Sequence, residues 1–385
     1  MADVLRASRD QVLAFRLEAH GLAQRRPTGD LLEVAAACGV RNSPPGSAML
    51  ALHARLAGLP PDTLGGALDD RALVEALGVR ISPHLVPARD VAAFTLGALP
   101  ATEASLLAVL SSLAPALKAA GMAAAEALRL AAAAAWEELD GRLLERGALS
   151  AAMTARLPEV LCPWCKACGS HHVQESLFRL VGVSGAFVIA GRPAKACLHA
   201  RTDQWLGVPV AADPVTARAA LLRRYLRCFG PSSVEHFAAW SGITVDDAGR
   251  TWDGVADRLV PIDLDGRRAR LHAEDLPRLH SPAEPGGVRL LPPYDAYLDQ
   301  RDRATLLPDP ALQRRVWKIL GNPGVVLADG EIAGIWRPQK KGKRLLLGVE
   351  PFASFAPALC AAIEAEAGLL APLRGCTSAE VAFAG

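Results

Sequence analysis

The segment Ser232–Val255, "SSVEHFAAWSGITVDDAGRTWDGV", gives the strongest indication of how this chain folds. Apolar residues recur at helical spacing on both sides of Gly242, which predicts two short helices joined by a tight turn. The preceding run, residues 213–230, predicts an amphipathic helix that opens with Asp213 and Pro214. The following run, residues 257–272, predicts a hairpin that turns at Asp265-Gly266. Three helices followed by a ribbon are the plan of a winged helix.

The same plan recurs twice upstream. Residues 8–57 predict three helices, the first capped by Ser8, and "ALVEALGVRISPHLVP" (72–87) predicts a short helix that runs into a strand, a turn and a strand. Residues 122–200 again predict helices and then a ribbon. Any small α+β domain could follow this plan once, but its repetition favours tandem winged helices.

The C-terminal part differs, because residues 324–352 predict three strands, followed by a helix near 354–368 and a last strand. We therefore predict a mainly α fold with small β-ribbons, of the α+β class. The predicted domains are winged helices at 1–95, 96–208 and 209–282 and a C-terminal α/β portion at 283–385.

Composition limits the possible classes of function. The 385 residues carry a net charge of +2, which is too mild to indicate nucleic acid by itself. The first ten residues, "MADVLRASRD", show no apolar run typical of a secretory signal, and the alanine-rich stretch 119–135 is interrupted by Glu126 and Arg129. We therefore expect a cytoplasmic protein that does not enter a membrane. We also expect it to be a monomer.

Three of the eight cysteines lie in "LCPWCKACGSHH" (161–172). Cys162, Cys165, Cys168 and His172 offer the soft ligands of a tetrahedral zinc site, and a reducing compartment favours metal or free thiols over disulfides. An iron–sulfur cluster is the less supported metal alternative. Buried packing is equally compatible with the pattern. We expect no required cofactor and, at this segment, one candidate structural zinc.

Basic residues cluster at the tips of predicted hairpins, where winged helices meet phosphates and the minor groove. At such tips they are also ordinary solvated turn residues. Arg80 and His84 lie in the first predicted wing. The candidate DNA-binding residues are Arg80, His84, Arg267, Arg268, Arg337, Lys340, Lys341, Lys343 and Arg344.

Several segments, taken in order, resemble the AlkZ/YcaQ-like family of winged-helix DNA glycosylases. They are "RDQVLAFRLEAHGLAQR" (9–25), "SAMLALHARLAGL" (47–59), "DRALVEALGVRISPHLVPARD" (70–90), "CFGPSSVEHFAAWSGI" (228–243), "LLPPYDAYLDQRDR" (290–303) and "VVLADGEIAGIWR" (325–337). The resemblance covers nearly the whole chain. It implies three tandem winged helices in a C shape around a DNA duplex. It also implies removal of alkylated or crosslinked purines by cleavage of the N-glycosidic bond.

The family resemblance also implies a catalytic position. Active members carry Gln-x-Gln or Gln-x-Asp on the loop before the third helix, and that loop aligns here with Val40–Pro45. Arg41, Asn42 and Ser43 therefore stand at the candidate catalytic site. Arg41 places a positive charge where the sugar becomes cationic, and Ser43 is a weak base without a partner.

Three functions remain open at this point. The first is a DNA glycosylase, a hydrolase of N-glycosyl bonds, acting on double-stranded DNA that carries damage. The second is a non-catalytic winged-helix protein that binds DNA or sequesters a DNA-reactive metabolite. The third is a channel that binds protein or a small molecule instead of DNA, which the mild net charge allows. Weak or absent excision of simple alkylpurines is the expectation unless Arg41 is paired with a carboxylate or turned toward a phosphate.

Overall fold

The computed structural model describes residues 5–194, 196–210 and 212–384. Helices make up 47% and strands 21% of the chain, so the predicted α+β class is confirmed. Among the described residues, no helix is both long enough and apolar enough to cross a membrane.

The helices, in chain order, are α1 (Arg9–Ala19), α2 (Leu31–Cys38), α3 (Ser47–His53), α4 (Thr63–Asp69), α5 (Val91–Phe94), α6 (Glu103–Val109), α7 (Ala114–Ala120), α8 (Ala124–Glu138), α9 (Arg146–Thr154), α10 (Glu175–Val183), α11 (Thr202–Leu206), α12 (Pro214–Phe229), α13 (Val234–Ser241), α14 (Val245–Asp253), α15 (Leu276–His280), α16 (Arg303–Leu306), α17 (Pro310–Val316) and α18 (Pro357–Leu373).

The strands, in chain order, are β1 (Leu5–Ala7), β2 (Val40–Arg41), β3 (Leu73–Leu77), β4 (Pro83–Pro87), β5 (Leu144–Glu145), β6 (Trp164–Cys165), β7 (Ser170–His171), β8 (Phe187–Gly191), β9 (Leu198–Arg201), β10 (Leu259–Leu264), β11 (Arg267–His272), β12 (Val288–Leu291), β13 (Gly324–Ala328), β14 (Glu331–Lys341), β15 (Arg344–Pro351) and β16 (Ser378–Phe383).

The chain divides into two compact units. The first consists of Met1–Gly66, Arg224–Ser233 and Arg258–Gly385, and the second of Ala67–Arg223 and Val234–Asp257. The division into winged helices at 1–95, 96–208 and 209–282 stays a prediction.

The first unit is built on a five-stranded sheet in the order β12-β13-β14-β15-β16. Neighbouring strands are antiparallel except β15 and β16, which are parallel. Helix α18 covers the sheet with Ile363 and Leu370, which pack against a core that includes Trp336 and Leu347. The outer end of β14, from Arg337 to Lys341, is exposed and extends beyond this core. The three strands and the helix predicted in this part are confirmed.

The N-terminal helices of the first unit follow the local signals in their sequence. Ser8 caps α1 in a capping box, accepting from the amide of Gln11 while the Gln11 side chain accepts from the amide of Ser8. Gly39 ends α2 at a φ of 73°, a backbone angle that favours glycine. A second sheet in this unit has the order β1-β10-β11, and its β10–β11 hairpin turns at Asp265-Gly266 as predicted.

The second unit contains a sheet in the order β4-β3-β8-β9-β5. The helix predicted to begin "ALVEALG" is wrong, because Leu73–Leu77 forms β3. All five residues of β3 are buried, and the strand is paired with both β4 and β8, so tertiary pairing overrides the local helix preference. The helix pair predicted around Gly242 is confirmed as α13 and α14, with Thr244 capping α14.

Candidate functional site: the loop between the second and third helices

The loop at the candidate catalytic position is held by its own polar groups. The side-chain oxygen Oδ1 of Asn42 accepts from the amide of Gly46 at 2.9 Å, and Asn42 is buried. The hydroxyl of Ser47 donates to the carbonyl of Arg41 at 3.2 Å. Gly46 has a φ of 88° and stands at the N-cap of α3. These bonds use the Asn42 carbonyl oxygen to shape the loop, while Ser43 is half-buried beside it.

Arg41 is paired with a carboxylate. Its Nη1 atom lies 3.5 Å from Oδ2 of Asp299, and the two side chains are 18% and 16% exposed. The guanidinium also lies over the ring of Tyr294, 5.2 Å from the ring centroid. The carboxylate and the aromatic face both stabilise the guanidinium and hold it in place. The condition under which Arg41 would not oppose a cationic transition state is therefore met in the structure.

A small pocket adjoins this loop. It is lined by the end of α2, by Val40, Arg41 and Ser47, and by residues 292–296. Its accessible volume is about 10 Å³, roughly the space that one water molecule needs. The pocket is therefore of a size to hold a single water next to Arg41.

Arg55 closes the pocket with a second ion pair. Its two terminal nitrogens donate to Asp295 at 2.8 and 2.7 Å, a bidentate arrangement, and both side chains are buried. One of these nitrogens also donates to the carbonyl of Ala51 at 2.7 Å. Asp295 in turn accepts from the amide of Tyr297 at 2.9 Å. Together these hydrogen bonds hold residues 295–297 against α3.

A third arginine meets the same segment. Arg16 is fully buried, donates to Gln300 at 2.7 Å and lies 3.3 Å from Asp302. It also donates to the carbonyls of Gly230 and Pro231. Burial lowers the pKa of Arg16, and Asp302 opposes that shift. Burial alone raises the pKa of the Asp302 carboxyl. The charge of Arg16 and the hydrogen bonds from Thr305 and Arg267 outweigh burial, so the pKa of Asp302 lies below its usual value.

The wall of the pocket also contains a thiol and an imidazole. Ligand atoms of His20, Cys38 and Cys228 lie within 4.8 Å of one another, and all three residues are buried. A hydrogen bond with Cys228 and burial raise the pKa of the Cys38 thiol well above its usual value. The His20 ring packs edge-on against Phe229 and Tyr297. His20 and the two thiols therefore form part of the buried packing around the pocket.

The predicted DNA-binding residues of the first unit fall on two hairpins. In β14–β15, Lys340 donates to the carbonyls of Arg374 and Gly375, Arg344 is paired with Glu380, and Lys341 and Lys343 are exposed. Arg337 is exposed at the start of the projecting end.

The two predicted arginines of the β10–β11 hairpin differ in their contacts. Arg267 is paired with Asp302 at 2.7 Å and donates to Thr305, whereas Arg268 is exposed. Arg267 therefore helps to hold the 295–302 segment, and Arg268 is the better placed of the two for phosphate contact.

Arg80 and His84 belong to the second unit. Arg80 adopts a left-handed backbone between β3 and β4, with a φ of 52°. His84 is buried, and its Nδ1 atom is 2.8 Å from the carbonyl oxygen of Ser82. These contacts give His84 a structural role in the hairpin.

Three of the four predicted metal ligands come together in the second unit. Ligand atoms of Cys165, Cys168 and His172 lie within 4.8 Å of one another. Cys162 is buried and is not part of this group. A hydrogen bond with His172, and others with Cys168 and Ala167, lower the pKa of Cys165 to about 7.

Sequence reasoning missed Asp299 and Tyr294, the partners of Arg41. In the same segment (294–302), Asp295 is paired with Arg55 and Asp302 with Arg16. No local sequence signal points to the partners of Arg41, because Arg41 and Asp299 are about 260 residues apart in the chain.

Comparison with known proteins assigns the chain to a family. The model of the AlkZ-like family, described as "DNA glycosylase AlkZ-like", matches residues 34–373. The chain therefore belongs to the AlkZ-like DNA glycosylases, and the resemblance seen in the sequence is confirmed.

Two individual proteins illustrate the similarity. The "Interstrand DNA cross-link repair glycosylase" of Streptomyces sahachiroi is 32% identical over 132 residues, which cover 32% of this chain and 35% of that protein. The match thus spans about a third of the relative's length. The solved structure of Streptomyces sahachiroi DNA glycosylase AlkZ has a TM-score of 0.79 at 22% identity, covering 99% of this chain and 100% of that chain. This match shows a shared fold.

Proposed function

We propose that this protein is a DNA repair glycosylase that binds damaged duplex DNA and hydrolyses the N-glycosidic bond of an alkylated or crosslinked purine. The observation that carries the proposal is the Arg41–Asp299 pair at the loop where the family places its catalytic motif. Membership of the AlkZ-like family and the name of the curated relative support the substrate class.

The reaction requires negative or dipolar stabilisation of the sugar. Water attacks the anomeric carbon while the bond to the purine nitrogen breaks, and the sugar passes through an oxocarbenium-like state. In this proposal the Asp299 carboxylate supplies the negative charge and accepts the proton of the attacking water. Arg41 orients Asp299 through their ion pair, and Ser43 helps to orient the water. No cofactor takes part in these steps.

DNA contact is proposed to use exposed cations on the two hairpins of the first unit and Arg80 of the second. The exposed Lys341, Lys343 and Arg268 support this proposal because they project from hairpin turns. Three winged helices at 1–95, 96–208 and 209–282 remain the proposed domain plan. We further propose that the protein works as a monomer in the cytoplasm, and its eight free cysteines are consistent with a reducing compartment.

The glycosylase proposal is tested by excision and binding measured on the same duplexes. Substrates carry N7- or N3-alkylated purines or an interstrand crosslink, and the unmodified duplex is the reference. We expect slow excision by the natural chain and a loss of roughly 10²-fold in the Asp299→Asn variant. The matched control is Glu364→Gln, an exposed carboxylate on α18, which should leave the rate unchanged.

The arginine is tested by the paired change Arg41→Gln with Ser43→Gln. It restores the amide spacing of active family members, so we expect excision to rise if the loop keeps its shape. Excision in the natural chain that is unaffected by Asp299→Asn would contradict the assigned role of Asp299.

The second candidate is a non-catalytic DNA-binding protein that recognises damage or sequesters a DNA-reactive metabolite. Its support is the use of Asn42 Oδ1 inside the loop, because this removes one acceptor that could hold a water. Salt-dependent binding to damaged duplex with no excision by any variant would favour this candidate over the glycosylase.

A further inference from the structure

The hairpin at residues 162–172 is a small structure with little core of its own. Its strands β6 and β7 have only two residues each, and Trp164 on β6 is 59% exposed. A two-stranded hairpin of this size is at best marginally stable in water. The hairpin therefore needs another source of order, although the Trp164 ring does pack edge-on against His171.

The turn of this hairpin places the Cys165 sulfur beside other possible metal ligands. The amide of Gly169 donates to the carbonyl of Cys165 at 2.9 Å, with Gly169 at a φ of 63°. The Cys165 sulfur lies within 4.8 Å of the Cys168 sulfur and of a ring nitrogen of His172. Two sulfurs and one imidazole nitrogen this close together form a ligand set that Zn²⁺ commonly takes.

The histidine is oriented with a ring nitrogen toward the sulfurs. Nδ1 of His172 is 2.9 Å from the carbonyl oxygen of Val173, so this nitrogen carries the proton and Nε2 is the acceptor. A metal-binding histidine usually donates its other ring N–H to a carbonyl or carboxylate in this way. Cys168 is exposed, which argues against the alternative in which these cysteines are buried packing.

We propose that Cys165, Cys168 and His172 bind one Zn²⁺ through two thiolates and Nε2, with a water molecule as the fourth ligand. Binding releases the two thiol protons to solvent. Cys162 is excluded from the site because it is buried and its sulfur lies outside the cluster. The metal closes the hairpin onto the residue that leads into α10, whose N-cap is Gln174.

The consequence of zinc is structural. The amide of Gln174 donates to the carbonyl of Leu161, and the amide of Val173 donates to Thr154, so residues 172–174 are tied to the segment before the hairpin. A metal at His172 extends this connection to the turn at Cys165 and Cys168. Its role is independent of glycosidic-bond chemistry, so the two proposals can fail separately.

The experiment measures metal in the full chain purified without chelator. We expect one zinc per chain, and after exchange with Co²⁺ a thiolate-to-cobalt absorption whose intensity corresponds to two thiolates. Cys165→Ser and Cys168→Ser should each lose the metal or halve this absorption, and His172→Gln should weaken binding. Cys360→Ser, a half-buried cysteine on α18, is the matched thiol control and should keep the metal.

Two measurements keep the result decisive if a variant is poorly folded. Circular dichroism checks each variant, and zinc titration of the natural chain against a chromophoric chelator gives affinity without any substitution. Zinc retained by Cys162→Ser supports the three assigned ligands. Absence of zinc binding by the reduced natural chain, loss of zinc in Cys162→Ser with retained fold, or a Cys165–Cys168 disulfide in the purified protein would each overturn the proposal.

Discussion

Arg55 and Arg41 both reach carboxylates in the segment 295–302, but the two pairs differ in burial and geometry. Arg55 holds Asp295 by two bonds of 2.8 and 2.7 Å, with side-chain exposures of 5% and 0%. Arg41 lies 3.5 Å from Asp299, and both side chains retain some exposure. The buried pair fixes the segment in place, and the partly exposed pair leaves a carboxylate that solvent can reach.

The difference separates structural from chemical roles within one segment. A carboxylate that is fully enclosed and held by three hydrogen bonds is out of reach of a substrate water. A carboxylate that is partly exposed can be reached by a water molecule. Asp295 therefore contributes to stability, and Asp299 is the carboxylate proposed to take part in the reaction.

The largest expected effect is at the buried pair. Asp295→Asn leaves the Arg55 charge enclosed without a counter-ion, and we expect a loss of about 3–5 kcal/mol in the free energy of unfolding. Urea denaturation of the full chain measures it. Asp299→Asn is the matched control, because the same change is made four residues away. Equal destabilisation by both variants would remove the distinction between the two pairs.

A smaller effect is expected at Asp302, because Arg16 keeps Gln300 and two carbonyls as partners. We expect Asp302→Asn to cost about 2 kcal/mol near neutral pH, the scale of a hydrogen bond to a charged group. The folded-state pKa of Asp302 is lowered, so its contribution is present above its unfolded pKa of about 4. The contribution is lost as the pH falls through the folded value.

Unfolding measured between pH 3 and pH 7 tests this sign. The natural chain and Asp302→Asn should differ most near neutral pH and converge as the pH falls below about 4. A gap that widens in acid would show that Asp302 does not favour its ionised form in the folded state.

Much of the fold could be predicted because the signals are local. The capping box at Ser8 and Gln11, the hairpin turn at Asp265-Gly266 and the helix pair around Gly242 all depend on residues close in sequence. Residues 73–77 were misjudged because their burial and pairing come from distant strands. Local helix preference carries no information about such partners.

The candidate site shows the same limit. The loop residues Arg41, Asn42 and Ser43 could be located through the family resemblance, but the partner of Arg41 lies far away in sequence. Cys165, Cys168 and His172 were predicted together because their spacing is short. Cys162 fits that spacing equally well, but it is buried and its sulfur lies outside the group formed by the other three.

The smallest expected effect concerns the stability contributed by the Arg41–Asp299 pair. A double-mutant cycle with Arg41→Gln and Asp299→Asn should give a coupling of at most about 1 kcal/mol, because the contact is long and reachable by solvent. Raising the ionic strength should reduce this coupling, since ions screen exposed charges. The parallel cycle with Arg55→Gln and Asp295→Asn should be larger and nearly insensitive to salt, because its charges are enclosed. Denaturant unfolding at low and high salt measures both cycles. A salt-insensitive coupling at Arg41 that matches the one at Arg55 would make Asp299 a second structural anchor, and it would weaken the proposal that its carboxylate serves the reaction.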